Sequence, residues 1–329
     1  MKTLFPFLAV IILVLLVFAG VKANLYFLFG VVIPYAALIT FVMGFIYRVV
    51  KWGRSPVPFR IPTTCGQQQS LPWIKQNKIE NPSTMLGVTI RMALEVLLFR
   101  SLFRNLKTEL SNGKQVVYGS DKWLWLAGLA FHWSFLFIVL RHLRFFTPST
   151  PSVIKLIESL DSFFQVGVPL FYLTDMIILG AVTYLFIRRV VIPQVRYISL
   201  PADHFPLFLI LGIAVSGVIM RYFIRVDVVA VKELAMGLVT LQPRIPEGIG
   251  VIFYIHLFLV STLFCYFPFS KLMHMGGVFL SPTRNMINNN RMVRHINPWN
   301  YPVHVHTYEE YENDFRDKMK KAGIPVEKE

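Results

Sequence analysis

Six apolar runs, each about as long as a membrane-crossing helix, constrain this chain more than any other feature. A hydrocarbon core about 30 Å thick takes roughly 20 residues of helix. The runs are Leu4 to Gly20, Leu25 to Val50, Trp123 to Phe146, Gln165 to Val190, His204 to Val226 and Gly248 to Met273. In lipid every backbone N–H and C=O needs a partner inside the segment, so runs of this length fold as helices. The expectation is an all-α membrane protein with six transmembrane helices. Of the 329 residues only 16% are charged, against about a quarter in a soluble domain, which argues against a water-soluble globular enzyme. Lys2 and the Val21-Lys22-Ala23 end give the first run some signal-peptide character; a retained helix is the preferred reading.

Charge sets the expected orientation. The net charge of +15 needs no nucleic acid partner, because basic residues collect in the cytoplasmic loops of membrane proteins. Arg54, Arg60, Lys75, Lys78, Arg91, Arg100, Arg104, Lys107 and Lys114 lie between the second and third runs. Arg188, Arg189 and Arg196 lie between the fourth and fifth, and Lys271, Arg284, Arg291 and Arg294 lie at and beyond the end of the sixth. Six crossings put all three groups on one side, N-in and C-in, in the cytoplasmic (inner) membrane. The long first loop has an amphipathic stretch, Met85 to Leu106, suited to the membrane surface or to a partner. On the other side, Ser152 to Phe164 and Val228 to Leu241 have amphipathic helical spacing and are expected to roof the bundle.

Two cysteines, Cys65 and Cys265, make no iron–sulfur motif, and no Cys-x-x-Cys-His attaches a haem covalently. Four histidines carry the functional argument. His132 and His142 stand ten apart in the third run, His256 and His274 eighteen apart in the sixth. Imidazole in a membrane faces the bundle interior and has a partner, and two histidines on each of two helices suit two bis-imidazole haem irons. The two helices run antiparallel, which pairs His132 with His274 on the inner side and His142 with His256 on the outer. Ten residues rise about 15 Å and eighteen about 27 Å, so straight helices do not match; Pro268 is expected to kink the sixth. The alternative is that the histidines only hydrogen-bond within the bundle. For His204, His304 and His306 a structural role is preferred, with His304-Val-His306 able to take a stray metal. Arg141, Arg144, Arg221 and Arg225 on the outer side are candidates to hold haem propionates, with Lys271 and Arg284 flanking His274 inside. Asp175, in the fourth run, is expected to bond the free nitrogen of a ligating histidine or, less directly, to carry protons.

The spacings of His132, His142, His256 and His274 resemble those of the gamma subunit of respiratory nitrate reductase (NarI-like proteins), where the same crossed pairing ligates two haems b. More specific stretches are Pro268-Phe-Ser-Lys-Leu-Met-His274-Met-Gly-Gly, Ser281-Pro-Thr-Arg-Asn, Asn288 through Asn300, and Thr307-Tyr-Glu-Glu-Tyr-Glu. These resemble the DsrM family, the membrane cytochromes b of sulfite-reduction-associated DsrMKJOP complexes, over nearly the whole chain.

The resemblance implies a NarI-like haem-binding bundle with two non-covalent haems b, which oxidises menaquinol near the outer haem. Electrons would pass to a cytoplasmic iron–sulfur subunit resembling DsrK, a heterodisulfide-reductase-like protein, and on to the trisulfide of DsrC. A periplasmic multihaem cytochrome c, a periplasmic iron–sulfur protein and a second membrane subunit are the other implied partners, with membrane lipid around them. The expected division is an extra N-terminal helix at 1–24, a dihaem domain at 25–275 including a cytoplasmic insertion at 51–122, and a cytoplasmic tail at 276–329 for partner docking. Lys155 is the candidate to hydrogen-bond a quinone oxygen, and Glu158 or Asp161 to accept the quinol proton. Other readings are a nitrate-reductase-type or hydrogenase-linked quinone cytochrome b, and a haem-free anchor or transporter; transporters carry internal repeats, and none is visible.

Overall fold

Helix α1 (Leu4–Lys22) is apolar on every face, as a helix bathed in lipid must be. The computed structural model describes residues 2–55, 66–111, 113, 115–162, 171–293 and 304–328. The chain divides into two compact units, Met1–Ser55 with Thr89–Asn285, and Pro56–Val88 with Met286–Glu329. After α1 come a π-helical turn (Leu28–Val32) and α2 (Ile33–Gly53), then α3 (Met85–Leu98), α4 (Arg100–Phe103) and the strands β1 (Leu106–Ser111) and β2 (Gln115–Ser120). They are followed by α5 (Lys122–His142), α6 (Ser152–Asp161), α7 (Leu173–Val191), α8 (Pro193–Ile198) and α9 (Pro201–Val218), the last extended by a π turn (Ile219–Ile224). Next are α10 (Val228–Val239), α11 (Val251–Tyr266), α12 (His274–Gly277) and α13 (Tyr308–Lys321).

Five segments among the described residues are long and apolar enough to cross a membrane: Leu4–Lys22, Leu28–Gly53, Lys122–Phe145, Pro201–Ile224 and Val251–Phe269. Helix α7 has 19 residues, about 28 Å of rise, but carries Asp175, Arg188 and Arg189. The helices pack in the series α5–α7–α9–α11–α2, with α1 against α9 and α11. Two apolar clusters hold them. One joins Val10, Ile178, Val182, Leu209 and Leu259, and the other joins Val17, Phe29, Leu234 and Tyr254.

Three expectations are corrected. The amphipathic stretch from Met85 ends at Leu98, because Phe99 adopts φ +50° and breaks the helix. A hairpin then follows, pairing Leu106 with Ser120 and Ser111 with Gln115. Its sequence signal is Asn112-Gly113, with Gly113 at φ +69° as a tight turn requires. Pro268 does more than kink the sixth span: the α-helix ends at Tyr266, a 3-10 turn takes Phe267–Phe269, and Ser270 is extended. Proline has no N–H to continue the ladder. The turn fits because residue 44 is glycine; a Cβ there would sit 2.7 Å from Pro268 Cβ. Helix α7 begins at Leu173, and the expected Gln165 to Leu170 part lies outside the described residues, as do Phe163 and Phe164 of the first roof segment. The two segments expected as roofs form the helices α6 and α10.

In the second unit, α13 spans the charged tail segment and opens on a capping box between Thr307 and Glu310. Glu312 is buried and accepts the backbone N–H groups of Glu327 and Lys328 and the Arg316 Nε–H. The Glu327 N–H above all holds its carboxyl below the usual carboxylate range. Asn288, fully buried, donates its backbone N–H to the Pro82 carbonyl at 2.8 Å and Nδ2 to Asn81 Oδ1 at 3.0 Å.

Candidate functional site

The break at Pro268 brings the four histidines into two pairs. His132 and His142 are separated by ten residues of α5, about 15 Å. Helix α11 runs the same ten residues from His256 to Tyr266, and the turn after it returns His274 to His132. The ring centroids of His132 and His274 are 5.9 Å apart with planes 82° from parallel. Those of His142 and His256 are 6.3 Å apart, with planes 11° from parallel.

Each imidazole has one nitrogen committed. Nδ1 of His132 faces the Gly128 carbonyl at 2.7 Å, that of His142 the Ile138 carbonyl at 2.7 Å, and that of His274 the Lys271 carbonyl at 2.9 Å. A carbonyl oxygen only accepts, so these Nδ1 atoms carry the hydrogen and Nε2 keeps its lone pair. His256 Nδ1 meets Ser216 Oγ at 2.9 Å. This is the tautomer a metal needs from histidine. The spacing fits as well: two metal–nitrogen bonds of about 2 Å each, plus the distance from each nitrogen to its ring centre, amount to about 6 Å. The residues present therefore suit two bis-imidazole irons.

The 142/256 pair lies beside a buried ion cluster. Arg141 donates to Asp175 Oδ1 at 2.6 Å and to Thr174 Oγ1 at 3.1 Å, and its Nε lies 3.2 Å from Asp161 Oδ2. Asp161 also accepts the Thr174 N–H and hydroxyl, at 2.9 and 2.7 Å. Tyr222 donates its hydroxyl to Asp175 Oδ2 at 2.9 Å and accepts the Tyr172 N–H. The Tyr172 ring is flanked by the guanidiniums of Arg141 and Arg221, at 3.8 and 4.0 Å. The expected bond from Asp175 to a histidine does not form. All four Nδ1 atoms are satisfied elsewhere, and a guanidinium is the stronger donor for a carboxylate.

The remaining candidates divide by their partners. Arg144 pairs with Glu158 at 2.9 Å, so neither it nor Arg141 stands alone. Arg221 faces the Tyr172 and Tyr222 rings, and Arg225 follows the π turn at φ +55°. Lys155 is exposed on α6, whereas Asp161 is buried in the cluster; Lys155, Glu158 and Asp161 share a helix without a common contact. At the other pair, Lys271 binds Asp203 at 2.6 Å, and Arg284 binds Glu95 at 2.7 Å. The rings of Phe99 and Phe131 stand edge-on to His132 at 4.8 and 4.9 Å. His204 is buried against Phe186. The ligating atoms of His304, His306 and Glu310 come within 4.8 Å of one another, all exposed, but Glu310 already caps α13. Sequence reasoning missed Ser216, Thr174 and Tyr222; a lone hydroxyl in an apolar run, such as Ser216, was the available signal.

The chain is similar to known proteins along most of its length. Residues 83–295 match the family model described as nitrate reductase gamma subunit. The Hdr-like menaquinol oxidoreductase cytochrome b-like subunit of Archaeoglobus fulgidus is 46% identical over 279 residues, 83% of each chain. The protein of the same description from Archaeoglobus profundus is 44% identical over 274 residues, 81% of each chain. With several apolar spans and these relatives, the chain is a multi-pass membrane protein, and it belongs to the nitrate reductase gamma subunit family.

Proposed function

We propose that this chain is a dihaem cytochrome b that oxidises menaquinol and passes the electrons to an iron–sulfur partner. The observation that carries it is the crossed pairing of four histidines, each with Nδ1 satisfied and Nε2 left to a metal. When bound, each haem supplies a one-electron ferric–ferrous couple. His132 and His274 hold the inner iron, His142 and His256 the outer. The helices around them keep water out, and Arg141, Arg144, Arg221 and Arg225 are the candidates to hold propionates on the outer side. Menaquinol gives up two electrons and two protons beside the outer pair, under α6 and α10. Lys155 orients a quinone oxygen there, and Glu158 or Asp161 receives the two protons in turn and releases each to the outer side.

In this proposal α7 also crosses the membrane, as the fourth of six spans, both termini are cytoplasmic, and residues 276–329 dock the partner. The relatives' description as Hdr-like menaquinol oxidoreductase subunits supports a heterodisulfide-reductase-like, DsrK-type iron–sulfur partner. The motifs around His274 and in the tail support a DsrMKJOP-type complex that serves DsrC trisulfide reduction. The test is a haem b count and redox titration of the purified protein in its complex, followed by a menaquinol analogue. Two haems per chain, at least one reduced by the quinol, are expected. No haem, or one haem indifferent to quinol, would overturn the proposal.

A further inference from the structure

His256 differs from the other three histidines in what its Nδ1 faces. They lean on carbonyls three or four residues back in their own chain segment. His256 reaches across to Ser216 on α9, forty residues away in sequence. The Ser216 hydroxyl proton is already engaged, donated to the Ile213 carbonyl at 2.9 Å. The lone pairs of Oγ therefore accept the His256 Nδ1–H, and the chain from His256 through Ser216 to Ile213 runs in one direction, each bond polarising the next. Ser216 is 4% exposed, in an otherwise apolar stretch. Its neighbour Gly217 lies against the same ring, where a Cβ would come 3.4 Å from His256 Cε1. The α9 face at 216–217 is thus shaped to the Nδ1–Cε1 edge of the imidazole.

We propose that Ser216 is a positioning residue that sets the reduction potential of the 142/256 site separately from that of the 132/274 site. This rests on the haem reading given above. An acceptor that draws on Nδ1–H pushes electron density to Nε2 and favours ferric over ferrous iron. At the 132/274 site both ligands draw on main-chain carbonyls. At the 142/256 site one ligand draws on a carbonyl of its own helix, and the other faces α9, where the Ser216 hydroxyl stands beside the Ile213 carbonyl; the hydroxyl is the part that a single substitution removes. Losing it makes Nε2 a poorer donor to ferric iron, so the potential of that site rises. Partners of metal-bound histidines commonly change metal affinity by about 10- to 100-fold. A tenfold change in the ferric-to-ferrous preference is about 59 mV for one electron.

The experiment is a potentiometric titration of the full-length protein in its complex, for wild type, Ser216→Ala and Ser216→Thr. The outer midpoint is identified as the one that disappears in His142→Ala. We expect two haems in each Ser216 variant, an outer midpoint about tenfold in equilibrium, or about 59 mV, higher in Ser216→Ala, an unmoved inner midpoint, and a wild-type value in Ser216→Thr. If Ser216→Ala loses the outer haem while Ser216→Thr keeps it at the wild-type midpoint, the hydroxyl role stands. An unchanged outer midpoint in Ser216→Ala, an equal shift of both midpoints, or loss of the haem from both variants would overturn it. Wild-type protein with fewer than two haems brings down the dihaem reading, and this inference with it, before any variant is compared.

Discussion

The 132/274 pair is held by backbone, and the 142/256 pair is embedded in side chains. His132 and His274 each give Nδ1 to a main-chain carbonyl, and two breaks in helical structure frame them: the left-handed Phe99 and the turn through Pro268 and Ser270. His142 and His256 sit beside a buried cluster of one guanidinium and two carboxylates, and one of them depends on a serine hydroxyl. Main-chain contacts survive most substitutions. A charged side-chain network does not, but it can compensate charge locally, which suits the end proposed above for quinol oxidation. The comparison teaches that two sites of equal ligand chemistry can differ in how readily single residues tune them.

The sharpest way to break the comparison is to remove one ligand from each pair. His142→Ala should reduce the haem b count from two to one per chain and abolish reduction by a menaquinol analogue. His274→Ala should also leave one haem, but one that quinol still reduces. A pyridine haemochrome count with a quinol-reduction trace separates the two. If both variants behave alike, the assignment of quinol to the 142/256 end is wrong.

Next in size is the contrast between the charges. Arg141 is 9% exposed at its side chain and faces Asp161 and Asp175 at 1% and 13%. Arg141→Met strands two buried carboxylates, and breaking a buried pair typically costs about 3–5 kcal/mol. Arg284 is 31% exposed and serves one carboxylate, Glu95; Arg284→Met should cost about 1 kcal/mol, as for partly solvated pairs. Thermal unfolding in detergent, read on matched preparations, should show a clearly larger drop in Tm for Arg141→Met. Equal drops would mean that the Arg141 cluster is solvated in the membrane.

The ring planes offer a test that changes no residue. Low-spin ferric iron between parallel imidazoles gives a rhombic electron paramagnetic resonance signal, and between perpendicular ones a signal with a large principal g value. The angles of 11° and 82° thus predict two distinguishable signals of equal intensity. Only the rhombic one should vanish in His142→Ala. Two identical signals would refute the difference in ring orientation.

Much of this architecture was legible in the sequence because hydrophobic length and histidine placement act over long distances. The spans at α1, α5 and α9, the short helices α6 and α10, the charged helix α13 and the juxtaposition of the histidines in crossed pairs all follow from such patterns. What was not legible depends on local chemistry. The eighteen-residue spacing of His256 and His274 made no sense as a straight helix, since how Pro268, Ser270 and Gly44 share a turn is settled only by packing. The Arg141–Asp175 bond was missed for a similar reason: composition shows a costly carboxylate in a span but not which donor reaches it first. The hairpin at 106–120 has Asn112-Gly113 as its only clear sequence signal, because Leu106–Ser111 and Gln115–Ser120 are short and follow directly on an amphipathic helical stretch.

The smallest effect concerns the corner that presents Phe99 to His132. Trp125 and Trp133 on α5 donate their indole N–H groups to the carbonyls of Leu98 and Leu97, at 2.8 and 3.1 Å. These are among the last carbonyls of α3, which have no partner within the helix. Trp125→Phe removes one neutral hydrogen bond and should cost about 1 kcal/mol. Its effect should be confined to faster amide exchange in the last turn of α3 and at Phe99, with both haem midpoints unmoved. The backbone-held pair does not need the indole to hold its ligands, because the Gly128 and Lys271 carbonyls do that. A shift of the inner midpoint in Trp125→Phe would show instead that the Phe99 corner takes part in setting the His132 ring, and the contrast between a rigid pair and a tunable one would lose its first half.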